Sequence, residues 1–165
     1  MCVFYCAVGQ VRGGTKHPAE IANLLVRHIL SSHAPLTNDQ WQRTVEHFGS
    51  SCAYCGTAQD DSPEKDHAIP INRDNMGEHT AANVVPVCKE CNGLKHARDY
   101  REFLADKPER LEKVDHFMKE AGYEPLRDGD SADKMRALLN EAYDDAKEIA
   151  ARYARLLGVI AADSQ

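Results

Sequence analysis

The sequence has no long hydrophobic run, and no apolar stretch approaches the about 20 residues that a membrane-spanning helix requires. The first residues, Met1–Cys6, are apolar but short, and no basic segment precedes them. We interpret them as a strand or a packed arm rather than as a signal peptide. The sequence therefore predicts a cytoplasmic protein with no membrane span.

An excess of positive charge is also missing. With 20 basic and 26 acidic residues the net charge is -6, whereas proteins that coat nucleic acids usually carry a basic face. An enzyme that acts on nucleic acid needs only a local basic groove, and its carboxylates can serve metal ions. The acidity therefore argues more strongly against tight, non-specific binding of nucleic acid than against an enzymatic role.

Four of the six cysteines form two C-x-x-C pairs, which is the spacing that zinc prefers. The pairs are Cys52 with Cys55 and Cys88 with Cys91. Four thiolates complete a tetrahedral zinc site with no open position, so we expect a structural ion. The 32 residues between the pairs exceed the about 15–20 of a compact zinc ribbon, and the additional length suits a β-hairpin.

The remaining cysteines, Cys2 and Cys6, stand outside this pattern. Because the sequence shows no secretion signal, we do not expect a disulfide framework. We interpret both as small buried apolar side chains. A second metal site and a pair of regulatory thiols are the alternatives.

Helices are predicted before and after the cysteine pairs. Pro18 suits a first helical turn, and apolar residues recur after it at helical spacing. Thr37 and Gln40 match a capping box at the start of a second helix, which Gly49 ends. Pro108 begins a further helix. The recurring residues after Pro18 are Ile21, Leu24, Leu25, His28 and Ile29.

The last predicted helix, residues 131–161, carries an apolar heptad stripe. Such a stripe suits a homodimer or docking onto a partner protein, and packing on the chain's own core is the alternative. Its members are Met135, Leu139, Ala142, Ala146, Ile149, Tyr153, Leu156 and Ile160.

A hairpin is predicted between the two cysteine pairs. Residues 64–71 read as its first strand and residues 84–87 as its second, with a polar loop over residues 72–83. From Cys91 to about Leu104 the pattern is helical.

Several polar residues in this segment have metal-binding or catalytic side chains. Asp66 and His67 lie in the first predicted strand, and Asn92 directly follows the last cysteine. His96 lies four residues later, on the same face of the predicted helix. Taken alone, these residues would be a surface aspartate, a satisfied histidine and a helix cap. Oxygen ligands from Asp66 and Asn92 suit Mg²⁺, whereas nitrogen from His96 favours a softer ion such as Mn²⁺, Ni²⁺ or Zn²⁺.

The stretches CAYCG, KDHAIP and NVVPVCKECNGLK resemble the HNH endonucleases, and most closely their zinc-containing bacterial and phage members. The resemblance extends over about residues 36–104. It implies an α+β fold with a ββα-metal core and a structural four-cysteine zinc, flanked by N-terminal and C-terminal helices. We accordingly divide the chain into an arm with helices at 1–48, a nuclease core at 49–104 and C-terminal helices at 105–165.

The resemblance also implies roles for individual residues. His67 is expected to be the general base that activates water, and Asp66 a ligand of the catalytic metal. Asn83 corresponds to the middle Asn of the family name and is expected to orient the base by hydrogen bonding. Asn92 stands where the final His often stands and is expected to be the second ligand, with His96 as a third.

Basic residues near these positions are candidates for contacts with phosphate groups. Lys95, Arg98 and Arg101 would be neighbours on one helix, and Arg73 lies in the preceding loop. The alternative is an ordinary solvated face.

These expectations together predict a DNA endonuclease with structural Zn²⁺ and catalytic Mg²⁺ or Mn²⁺, possessing a restriction, anti-phage, phage or mobile-element role. One alternative is a zinc-stapled module that binds DNA or protein without cleaving. Another is an interaction protein that acts through the heptad helix and has a degenerate site.

Overall fold

The computed structural model describes residues 17–31, 36–59 and 62–163, with side chains as far as residue 158. This part of the chain forms helices and a two-stranded antiparallel sheet, in agreement with the predicted α+β class. The helices are α1 (Pro18–Ser31), α2 (Asn38–His47), α3 (Lys89–Lys95), α4 (Tyr100–Phe103), α5 (Pro108–Glu120), a 3-10 helix (Leu126–Asp128) and α6 (Ala132–Asp163). The strands are β1 (Glu64–His67) and β2 (Val84–Val87). The predicted roles of Cys2 and Cys6 lie outside the described residues.

The start of α2 is set by its own sequence, as predicted. The backbone N–H of Gln40 donates to the Thr37 hydroxyl at 3.2 Å, and the Thr37 N–H donates to Gln40 Oε1 at 2.9 Å. This reciprocal capping box satisfies two of the N–H groups that a helix start leaves unpaired. After the helix, Gly49 takes a φ of +61°, which glycine adopts without strain.

The hairpin forms where it was expected, but its first strand is shorter than residues 64–71. Glu64 pairs with Val87 and His67 with Val84. Beyond His67 the Ile69 N–H donates to the Asn83 side chain at 2.8 Å rather than to a strand neighbour. Pro70, which follows, has no N–H to donate, so the ladder cannot continue.

The helix predicted over residues 91–104 is wrong, because the structure has two short helices there. The first begins earlier, at Lys89, and His96 ends it with a φ of +51°. The chain then returns to the hairpin, where the Tyr100 N–H donates to the Ala68 carbonyl at 3.0 Å. A continuous helix would carry Tyr100 away from that carbonyl.

One hydrophobic core joins the three segments that we distinguished in the sequence. Phe48, Tyr54, Tyr100, Val114 and Phe117 are buried together in it. Burial of each such large side chain contributes about 1.5–3 kcal/mol. The hairpin is therefore fixed against α2 and α5, and the segment boundaries stay predictions.

A second core lies where α1 packs on the first half of α6. Val26 and Leu30 meet Leu139 there, together with Met76 from the loop between the strands. The helix that the apolar spacing predicted is present, and its buried positions are Ala22, Val26 and Leu30. Three of the residues whose spacing predicted the helix are exposed, namely Ile21, Leu24 and Leu25. No helix within the described ranges is both long and apolar enough to cross a bilayer.

Candidate active site

The four paired cysteines converge on one point. The sulfur atoms of Cys52, Cys55, Cys88 and Cys91 all lie within 4.8 Å of one another. The Cys55 and Cys88 sulfurs are 3.9 Å apart, close to the about 3.8 Å expected between two ligands of a tetrahedral zinc with 2.3 Å bonds. The predicted ligand set is thus assembled with a geometry that suits zinc.

Backbone contacts explain how the two pairs meet. The Ala53 N–H donates to the Pro86 carbonyl at 2.8 Å, which ties the first cysteine turn to β2. Cys88 is the N-cap of α3, and its sulfur accepts a hydrogen bond from the Cys91 N–H at 3.4 Å. Gly56 has a φ of +79°, a backbone conformation that glycine adopts without strain and other residues rarely adopt.

The thiols differ in how readily they ionise. Burial raises the pKa of Cys52 and of Cys91. Burial acts in the same direction on Cys55, but hydrogen bonding to the Thr57 side chain and backbone lowers its pKa to about 6. A bound cation is therefore needed to hold all four sulfurs as thiolates.

A polar cleft of about 820 Å³ lies between α1, β1 and α3. Among the predicted site residues, five line it, and these are Asp66, His67, Asn92, Lys95 and His96. The cleft thus gathers residues from two segments that are 25 positions or more apart in the chain, since Asp66 and His67 end β1 and the others follow Cys91.

Asp66 is held from one side by two donors. Tyr54 donates its hydroxyl to Asp66 Oδ2 at 2.6 Å, and Lys95 Nζ lies 2.9 Å from the same oxygen. Burial and the charge of Asp66 raise the pKa of Tyr54, so its hydroxyl keeps the proton that it donates. Both donors occupy Oδ2, and the carboxylate is thereby fixed in one orientation.

Lys95 does not lie on the surface where we placed it. It is fully buried, and its ammonium also donates to the His67 carbonyl at 2.8 Å. The expectation that Lys95 contacts a phosphate group is therefore wrong for this structure. Its positive charge pairs with Asp66 inside the protein, at the end of β1.

Asn92 reaches across the cleft to the start of β1. Its side-chain N–H donates to Glu64 Oε2 at 2.7 Å, which leaves Oδ1 of Asn92 available. Glu64 and Asp66 are two residues apart in a strand and therefore point to the same face. The expected position at the helix start is wrong, because Cys88 caps α3 and Asn92 lies within it.

His96 is not on the helical face of Asn92, since α3 ends at Lys95 and His96 has left the helical conformation. Its side chain is exposed at the rim of the cleft.

His67 is largely buried beside a second histidine. Its Nε2 lies 2.8 Å from Nδ1 of His79. Burial, together with the positive charges of His79, Arg27 and Lys95, lowers the pKa of His67 to about 3. Burial and Lys65 also lower the pKa of His79. The His67 imidazole is therefore neutral near pH 7, with one of its two ring nitrogens unprotonated.

Asn83 acts on backbone rather than on the His67 ring, which corrects the contact that we expected. Its Oδ1 accepts from the Ile69 N–H at 2.8 Å, and its Nδ2 donates to the carbonyls of Ile69 and Glu78, both at 2.9 Å. The residue is fully buried. It joins the segment that follows His67 to the one that precedes His79.

The three predicted arginines do not form one basic row. Arg98 donates to the Leu94 carbonyl at 2.7 Å, and Arg101 lies 3.3 Å from Asp115 on α5. Arg73 stacks on Tyr143 of α6, with 3.6 Å between the guanidinium carbon and the ring centre. The cleft is instead lined by Arg27, Lys65 and Lys89.

The sequence interpretation gave no catalytic or metal-binding role to Tyr54, Glu64 or His79. For Glu64 a signal existed, because it lies two residues before Asp66 and shares its face of the strand. Tyr54 sits between two cysteines and His79 in a loop, and no periodicity connects either residue with Asp66 or His67.

Comparison with known proteins finds similarity to an endonuclease family. Residues 52–98 match the model of the HNH endonuclease family. The chain is 24% identical over 120 residues to the "SPbeta prophage-derived putative HNH endonuclease YoqL" of Bacillus subtilis (strain 168). The match covers 62% of this chain and 50% of the relative, so the chain spans about half the length of that protein. No solved structure matches the chain.

Proposed function

We propose, because residues 52–98 match the HNH endonuclease family model, that the protein is a metal-dependent endonuclease that hydrolyses phosphodiester bonds in DNA. The observation that carries the proposal is the cleft in which Asp66, His67 and Asn92 lie together beside the four cysteines. We assign the cysteines to a structural Zn²⁺, because four thiolates leave no coordination position for substrate.

The oxygen atoms in the cleft fit a second, hard divalent ion. Asp66 and Glu64 provide carboxylates on one face of β1, and Asn92 provides an amide oxygen. Such donors suit Mg²⁺ or Mn²⁺. We propose Asp66 and Asn92 as ligands, with Glu64 as an additional ligand and His96 at the rim. When bound, the ion would neutralise charge on the scissile phosphate and the leaving oxygen.

The protein's own residues supply the remaining functions. His67 is neutral and takes a proton from water as general base. Tyr54 and Lys95 hold the Asp66 carboxylate in place, and Lys95 also holds the backbone of His67. Arg27 and Lys89, which are exposed in the cleft, attract the phosphate backbone. The cleft therefore carries acidic groups for a metal ion and basic groups for phosphate, although the net charge of the protein is negative.

For the biological setting we propose a phage or mobile-element nuclease. The basis is the prophage origin in the name of the Bacillus relative. No contact in the described structure favours restriction or defence over this setting.

The second half of α6 supports a proposal of self-association. Ile149, Tyr153 and Leu156 continue the heptad stripe beyond α1 and are 57%, 59% and 48% exposed. In an antiparallel pair in which Ala146 packs on Ile149 of the other chain, Asp145 lies opposite Arg152, and this pair occurs twice. A parallel pair offers no such match. We therefore propose that a second copy of this chain packs on the exposed part of the heptad stripe.

Cleavage of a supercoiled plasmid by purified protein tests the enzymatic proposal. Wild type is expected to nick or linearise DNA with Mg²⁺ or Mn²⁺ and to be inactive with EDTA. His67→Ala is expected to keep its zinc and lose at least about 100-fold in rate. His116→Ala, a change at an exposed position on α5, serves as the matched control and is expected to cleave as wild type does. Binding of DNA without cleavage in either metal would contradict the proposal and favour the binding module.

A further inference from the structure

We propose that His79 is a positioning residue for His67. In this arrangement His79 accepts a hydrogen bond from Nε2–H of His67 and so leaves Nδ1 of His67 free to take a proton from water. The inference deepens the proposed nuclease function and rests on it.

The contact between the two rings is direct and specific. His67 Nε2 and His79 Nδ1 are 2.8 Å apart, a normal hydrogen-bond length. The ring planes are tilted by 54° with 5.1 Å between centroids, so the rings meet at nitrogen atoms and are not stacked face to face. Within the described part of the chain, Nδ1 of His67 has no hydrogen-bond partner, and His67 lines the cleft.

The loop that carries His79 is pressed onto the segment that follows His67. Asn83 donates both to the Ile69 carbonyl and to the Glu78 carbonyl, as described above. Gly77 donates its N–H to the Pro70 carbonyl at 3.0 Å. A Cβ at Gly77 would lie 2.0 Å from the Ile69 carbonyl oxygen, so only glycine permits this approach. Contacts before and after His79 in the loop therefore hold this residue close to His67.

The direction of the hydrogen bond follows from what each nitrogen can offer. In a neutral imidazole one nitrogen donates and the other accepts. If His67 donates from Nε2, its Nδ1 carries the lone pair that a base needs, and both rings have the Nε2–H form that free histidine prefers. If His79 donates instead, His67 is protonated at Nδ1 and has no free lone pair. Only the first arrangement is compatible with His67 as a base.

A metal site shared by the two histidines is the competing interpretation. Such a site needs at least one further protein ligand to be held firmly. Among the described residues, no Cys, Asp, Glu or third His brings a ligand atom as close to both rings as the four cysteine sulfurs are to one another. The pair is therefore better explained as a hydrogen bond.

The experiment combines ¹⁵N NMR of the histidine rings with cleavage kinetics on the zinc-loaded protein. The variants are His79→Ala, which removes the acceptor, and His79→Asn, whose side-chain oxygen can replace Nδ1 as acceptor. His116→Ala is again the control. In wild type we expect His67 protonated at Nε2 and bare at Nδ1, with the Nε2 proton protected from exchange. His79→Ala should lose that protection and about 10–100-fold in kcat, and His79→Asn should recover most of both.

Two results would overturn the inference. One is a wild-type His67 protonated at Nδ1, and the other is a His79→Ala variant that retains both the protected ring proton and full cleavage. If wild type does not cleave DNA in any metal, the nuclease proposal fails, but the ring proton still decides whether His79 holds His67. The two failures are therefore distinguishable.

Discussion

Lys95 and Asp66 form a buried ion pair at the end of β1, with 2.9 Å between Nζ and Oδ2. The Lys95 side chain is 1% exposed and that of Asp66 is 11% exposed. Tyr54 donates to the same carboxylate oxygen, and Lys95 also donates to the His67 carbonyl. One lysine thereby connects a proposed metal ligand with the backbone of the proposed base.

Loss of this lysine charge is expected to destabilise the fold. Lys95→Met keeps the length of the side chain but leaves the Asp66 carboxylate buried without its cation, which costs about 3–5 kcal/mol. Urea unfolding of the zinc-loaded protein measures the change in the free energy of unfolding. Lys119→Met, at an exposed position on α5, is the control and should change it by less than about 0.5 kcal/mol.

A double variant identifies the cause of that loss. Asp66→Asn combined with Lys95→Met removes both charges, so it should be more stable than Lys95→Met alone. If the double variant is instead less stable by the sum of the two single effects, the pair is not coupled and our account of Lys95 is wrong.

Asn83 is expected to contribute to both stability and activity. Asp at this position retains an acceptor for the Ile69 N–H but places an oxygen against the carbonyls of Ile69 and Glu78. Asn83→Asp should therefore lower the free energy of unfolding by at least about 2 kcal/mol. Cleavage at a temperature where the variant is still folded should also fall, because the segments carrying His67 and His79 lose their link. Asn140→Asp on the exposed side of α6 should change neither.

Short-range signals in this sequence predicted more of the structure than long-range ones. The capping box at Thr37 and the glycine stop at Gly49 involve residues a few positions apart, and both are confirmed. The cysteine spacing likewise predicted a cluster that the structure assembles. These features follow from local chemistry that any fold containing them must satisfy.

The errors concern contacts that only the tertiary fold creates. Lys95 has the pattern of a surface lysine, but Asp66, 29 residues earlier, holds it inside. The helix expected to continue past His96 ends because the Ala68 carbonyl captures Tyr100. Ile21, Leu24 and Leu25 of α1 are exposed because Leu139 of α6 packs on Val26 and Leu30 instead. No periodicity within one segment contains this information.

Metal preference is expected to depend on Asn92. Replacing its amide by imidazole adds a nitrogen donor beside Asp66, and nitrogen favours Mn²⁺ and Ni²⁺ over Mg²⁺. The ratio of the cleavage rate in Mn²⁺ to that in Mg²⁺ should rise about tenfold in Asn92→His. Asn23→His introduces a histidine elsewhere in the cleft, on α1, and should leave the ratio unchanged. An unchanged ratio in Asn92→His would mean that Asn92 does not contact the catalytic ion.

Cys88 has two roles, as a proposed zinc ligand and as the N-cap of α3, and a substitution can test them separately. Serine is a good N-cap, so Cys88→Ser keeps the start of α3 while removing one thiolate. Bound zinc, measured by elemental analysis, should fall from about one ion per chain to a small fraction, with loss of cooperative unfolding. Cys6→Ser leaves all four of the paired cysteines in place and should retain this zinc. Full zinc retention in Cys88→Ser would show that the metal is held elsewhere.

Self-association through α6 predicts a specific response to charge. Asp145→Arg places two arginines opposite each other in the proposed antiparallel pair, so it should shift the protein toward monomer in sedimentation equilibrium. Ile149→Lys should do the same by introducing charge at the centre of the apolar stripe. Ala154→Lys, on an exposed position of α6 outside the stripe, is the control and should not change the mass.

The charge reversal also tests the orientation of the two helices. Because Asp145 and Arg152 face each other only in the antiparallel arrangement, Asp145→Arg combined with Arg152→Asp should restore association. A parallel dimer places both residues beside apolar neighbours and gains nothing from the second change. Recovery of the dimer mass in the double variant therefore supports the antiparallel pair. A wild type that is monomeric at all concentrations would rule out self-association through α6.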